Sequence, residues 1–98
     1  MPNILVGTIT PSAPTKAIVG LVSDTVLAAN INRVGLIIVN AQSGTISLGL
    51  NGETAVLNQG ITLSPSGDWS MDDYTFTNGA ITGIAYASGY IAIQEFVR

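Results

Sequence analysis

The run Val34-Gly35-Leu36-Ile37-Ile38-Val39-Asn40, then Ser43-Gly44, then Ile46-Ser47-Leu48-Gly49-Leu50 and Asn51-Gly52 decides the fold. Its first part is a continuous apolar run bounded by turn residues, the pattern of a strand covered on both faces. Its second part alternates Ile46, Leu48 and Leu50 with Ser47 and Gly49, the period of two that buries one face of a strand. Asn-Gly is the preferred central pair of a type I′ turn, because both central residues need positive φ. Two strands and their punctuation are therefore written into these nineteen positions (34–52).

The same grammar extends in both directions. Ser66-Gly67, Asn78-Gly79 and Ser88-Gly89 repeat the turn signal, so turns recur every 8–15 residues, close to the rhythm of an antiparallel sandwich or barrel. Downstream, Ile61 and Leu63, Trp69 and Met71, Ile84 and Tyr86, and Ile91, Ile93 and Phe96 mark inward positions and, with Ile46, Leu48 and Leu50, the expected core. The stretch Ile81 to Phe96 reads as a final hairpin. Upstream, Lys16 to Val22 is rich in β-formers, and Thr25 to Ala28 either continues that strand or pairs separately. No long window carries a helical stripe free of turn signals; a short turn around Ala28 to Asn32 is the most helix the pattern allows. The expected fold is all-β: a small antiparallel β-sandwich or barrel, jelly-roll or immunoglobulin-like, over residues 16–98.

Residues 1–15 differ from this pattern. Pro2, Pro11 and Pro14 punctuate a segment whose only apolar run is Ile4-Leu5-Val6. Proline disfavours both helix and central strand. Two readings stand: an extended N-terminal arm able to add a strand to a neighbouring subunit, or an edge strand with a lead-in.

With 98 residues the chain has one core and little room for a catalytic cleft. Only 9% of residues are charged, against 47% hydrophobic, where average globular chains carry about 25% charged residues. A neutral surface of this kind tends to adhere to other surfaces, which is a first pointer to a partner. The net charge is −3 and the three cations, Lys16, Arg33 and Arg98, are dispersed, so no basic patch for nucleic acid is expected. Cysteine and histidine are absent, removing thiolate chemistry, the commonest general base and the commonest transition-metal ligand. No apolar run reaches the roughly 18 residues of a membrane-spanning helix, and Met1 to Val6 lacks the basic start of a signal peptide. The expectation is a protein that is not an enzyme, carries no cofactor and binds neither nucleic acid nor membrane.

Candidate chemistry is sparse. Asp68, Asp72 and Asp73 cluster near a turn and would suit Ca²⁺ by ligand type. Their spacing is not that of an EF-hand loop, and turn-forming acids are the simpler reading. Asp68 and Glu95 are the pair a hydrolase would use, with nothing in the sequence to bring them together. Trp69 and Phe96 read as core; Tyr74 and Tyr90, beside turn residues, read as interface candidates. Arg33, just ahead of the most apolar strand, has two readings: a salt bridge or carbonyl cap within the chain, or a contact between subunits. The candidate partner interface is therefore Ile4, Leu5, Val6, Arg33, Tyr74 and Tyr90.

The segment Val26-Leu27-Ala28-Ala29-Asn30-Ile31-Asn32-Arg33, followed by the apolar strand to Asn40, resembles a segment common in small virion proteins of tailed bacteriophages. So does Gly60-Ile61-Thr62-Leu63-Ser64-Pro65-Ser66-Gly67-Asp68-Trp69, as does the closing strand with Glu95-Phe96. The likeness spans roughly residues 24–97; it departs at Ile31, where proline is frequent, and does not extend to the arm. It implies a β-sandwich capsid decoration (cement) protein, a head-fibre base or a tail-associated module, without choosing among these. The neutral surface and apolar arm fit the first: a virion-surface homotrimer at symmetric capsid sites that contacts the major capsid protein. A carbohydrate-binding adhesion module on a phage head or tail is the alternative, with Trp69, Tyr74 or Tyr90 as a stacking platform, with or without Ca²⁺ beside it on Asp72 or Asp73.

Overall fold

The computed structural model describes residues 8–72 and 75–98. Among them the regular structure is entirely strand, in nine segments: β1 (Thr10–Pro11), β2 (Thr15–Val19), β3 (Asp24–Leu27), β4 (Arg33–Asn40), β5 (Ile46–Gly49), β6 (Ile61–Leu63), β7 (Asp68–Ser70), β8 (Ile81–Ala85) and β9 (Gly89–Val97). They form two antiparallel sheets packed face to face. In the first sheet β9 pairs β4 and β4 pairs β7, while β1 and β2 lie one after the other along the far edge of β9. The second sheet runs β3–β8–β5–β6.

The core is what the period of two predicts for β5, β6 and the first half of β9, while β4, expected to be covered on both faces, sends alternate residues into it. Leu36 and Ile38, Ile46 and Leu48, Leu63, and Ile91 and Ile93 meet between the sheets, joined by Val19, Ile81 and Ala85. Each large aliphatic side chain so buried contributes roughly 1.5–3 kcal/mol. Trp69 and Met71 pack against this cluster from β7 and its end. On β8 the expected phase is wrong. Ile81 and Ala85 face the core while Ile84 is half-buried and Tyr86 is 74% exposed. Gly83 holds the inward position between them, where a Cβ would meet Val19 and Val26 at 3.2 Å. The sheets approach closely there, and close approach selects small residues.

The expected hairpin over residues 81–96 is also corrected: β8 belongs to one sheet and β9 to the other. Crossing between sheets is the rule from β2 onward, and β5–β6 is the one consecutive pair in that stretch that lies in a single sheet. Of the Asn-Gly signals, Asn51-Gly52 forms the expected turn, with φ of 56° and 75° and a Glu53 N–H to Leu50 carbonyl bond. It opens a connecting segment instead of a tight hairpin. Asn78-Gly79 makes no such turn. Of the two readings of residues 1–15, the edge strand describes Thr10–Pro11, which pair with Val97 and Phe96 of the same chain.

Two buried polar side chains tie the sandwich together. Arg33 is fully buried: Nε donates to Glu95 Oε2 (2.8 Å), Nη1 to the carbonyls of Gly79 (2.8 Å) and Thr77 (3.3 Å), and Nη2 to that of Ala28 (2.7 Å). This corrects Arg33 as an interface candidate, since an interior guanidinium whose donors are consumed within the chain has no surface to offer. Asn40, also fully buried, donates Nδ2 to the carbonyls of Gly44 (2.8 Å) and Leu63 (3.0 Å) and accepts the Gln42 N–H at Oδ1 (3.1 Å). It clamps the β4–β5 connection onto the end of β6.

Candidate binding face

β4 has the composition of a strand covered on both sides, yet the described part of the chain covers one. Leu36 and Ile38 point into the core; Ile37 and Val39 point outward and remain half-buried. The register of the first sheet places their neighbours. One cross-strand row is Lys16, Ala92, Val39 and Asp68; a second is Gln94, Ile37 and Ser70; a third is Ile18 beside Tyr90. The centre of this outer face is thus aliphatic, and its two charges stand at opposite ends of one row. Ile18 is 65% exposed and Tyr90 47%. The Lys16 ammonium lies 4.6 Å from the centre of the Tyr90 ring, a cation–π contact that restrains the tyrosine. A shallow groove of about 160 Å³ runs between Pro14, Thr15, Ile37, Val39, Ala92 and Gln94.

The second sheet is treated differently. Residues 50–60 fold over part of its outer face: Asn58 N–H donates to Ser47 Oγ (2.8 Å), Ser47 and Thr62 share a hydroxyl–hydroxyl bond (2.9 Å), and Ala55 N–H donates to Ser23 Oγ (2.9 Å). Ser47 and Ala55 are buried as a result. One sheet carries its own cover, while among the described residues nothing folds over the aliphatic side chains of the other.

Of the interface candidates, Tyr90 lies on this face; Ile4, Leu5, Val6 and Tyr74 lie outside the described residues. Trp69 is half-buried against the core, which corrects it as a stacking platform. Asp72 serves a turn: its Oδ1 accepts the Thr75 N–H and hydroxyl, both at 2.9 Å. Asp73 lies outside the described residues, and among the described ones no three acidic side chains are grouped to hold a metal ion. Ile18, Ile37 and Val39 were missed as surface residues because an apolar strand reads as core whichever side is left open.

No protein-family model matches the chain, and no curated protein matches it.

Proposed function

We propose that this chain is a non-enzymatic structural protein of a tailed-phage virion: a decoration protein that binds the outside of the head and stabilises it. The supporting observation is the aliphatic face of the β2–β9–β4–β7 sheet that no other described segment covers. A sheet face of Ile18, Ile37, Val39 and Ala92 with an ordered Tyr90 suits burial against another protein, and the chain's scarcity of charge suits permanent residence in an assembly. In this reading the face joins copies into a closed trimer, which then bridges subunits of the major capsid protein. Placement on the virion follows the resemblance of residues 24–97. Stabilisation follows from mass action: a protein that binds only the assembled shell adds its binding free energy to the shell's stability.

Light scattering on the purified protein tests the trimer. A mass near three times 10.1 kDa, falling to that of a monomer in Ile18→Asp with the circular dichroism unchanged, is the expected result. A monomer at all concentrations, indistinguishable from the variant, would reject self-association through this face. Sedimentation with empty phage heads tests the shell: bound protein is expected to raise the heads' melting temperature.

A further inference from the structure

Between connecting segments at one end of the second sheet the chain builds a second, chemically different feature. A groove of about 350 Å³ is lined by Ser43, Gly44, Thr45, Leu57, Asn58 and Tyr86. That volume lies at the small end of the range for small-molecule sites, roughly 300–1,000 Å³. Tyr86 is 74% exposed, with its backbone fixed by an N–H bond to the Thr45 carbonyl (3.0 Å). The facing wall is fixed by the Asn58 N–H on Ser47 Oγ (2.8 Å), and the loop between them by Asn40 on the Gly44 carbonyl (2.8 Å). The backbone of the walls is therefore held before any ligand arrives, which reduces that part of the ordering cost of binding. The side chains of Ser43, Thr45 and Asn58 make no hydrogen bond to another described residue, and no charged residue lines the groove.

We infer that this groove binds a neutral sugar ring, with one face of the ring stacked on Tyr86 and its hydroxyls bonded by Ser43, Thr45 and Asn58. The chemistry of the lining selects that class. An aromatic plane takes the apolar face of a pyranose, and neutral hydroxyl and amide groups match its rim. An anionic ligand would find no cation here, and a wholly apolar one would leave three polar side chains unpaired. The inference is independent of shell binding, because the groove is lined by residues 43–45, 57–58 and Tyr86 in connecting segments, and the aliphatic face by the strand residues Ile18, Ile37, Val39 and Ala92.

A glycan array of neutral and acidic saccharides, followed by nuclear magnetic resonance titration with the strongest neutral binder, tests it. Binding of neutral glycans is expected, with shifts centred on Ser43, Thr45, Asn58 and Tyr86. Tyr86→Ala should weaken it about tenfold or more, the scale of one lost stacking contact, while Tyr86→Trp retains it. Asn58 has a φ of 67°, so Asn58→Gly removes the amide without straining the backbone; weaker binding at an unchanged melting temperature is expected. No neutral-glycan signal, preference for acidic glycans or a proline-rich peptide, or binding unaffected by Tyr86→Ala would overturn the assignment. Ile18→Asp is expected to leave glycan binding intact, which separates this site from the trimer.

Discussion

Arg33 brings a permanent charge into the interior, and its burial is tolerable because the site answers nearly every donor: Glu95 neutralises it and accepts from Nε, and three carbonyls accept from Nη1 and Nη2. Removing one partner of a buried pair typically costs about 3–5 kcal/mol. Arg33→Ala is expected to lose that much in urea unfolding, with the slope of the transition unchanged. Arg33→Lys should also destabilise, because a single ammonium cannot reach Glu95 and carbonyls on two separate segments at once. A loss below about 1 kcal/mol in Arg33→Ala would show that the network contributes little. A lone arginine ahead of an apolar strand admits an intrachain cap or salt bridge as well as a contact between subunits, and its burial decides for the first. Thr77, Gly79 and Glu95 as its partners were not legible, because they arrive from 44 to 62 positions away.

At the scale of the element, the strands follow from alternation and turn residues, but two glycines show how differently identical residues are used. At Gly49, in β5, a Cβ would collide with the Glu53 carbonyl oxygen and the Thr82 hydroxyl; at Gly20, after β2, nothing lies within 4 Å of one. Gly49→Ala is expected to cost about 1–3 kcal/mol by overpacking. Gly20→Ala should be neutral or stabilising by up to about 1 kcal/mol, through a less disordered unfolded chain. In a domain of this size each kcal/mol moves the melting temperature by roughly 4–8 °C, so calorimetry separates the two. Equal effects would contradict the packing described for β5. Neither role is visible in the sequence: Gly49 alternates with apolar residues and reads as an ordinary outward position.

At the scale of the whole molecule, the first and last described strands pair with each other. Thr10 pairs with Val97, and β2 runs along β9 from Thr15 opposite Ile93 to Val19 opposite Gly89. Sheets built from such distant partners fold slowly, because loop closure precedes the contacts that reward it. Stopped-flow refolding, followed through the single tryptophan, Trp69, is expected on the millisecond-to-second scale; microsecond refolding would contradict this topology. The same arrangement gives the molecule two unlike outer surfaces. One sheet is partly covered by residues 50–60 and has the polar groove at Tyr86 at one end; on the other, no described segment covers Ile18, Ile37 and Val39.

The class of the fold was decided by local pattern alone. Alternating apolar residues at 46–50, 61–63 and 91–93, separated by Gly, Asn and Ser, permit strands and little else, because side chains on a strand change sides at every residue. Which sheet each strand joins was decided only in three dimensions. Alternation marks an inward face without saying whose, so residues 81–96 read as one hairpin while β8 and β9 occupy different sheets. The phase of β8 was likewise decided by the close approach at Gly83, which turned Tyr86 from expected core to the wall of a groove. And β4, apolar on both sides, became half core and half surface because the described chain supplies a second layer on one side only.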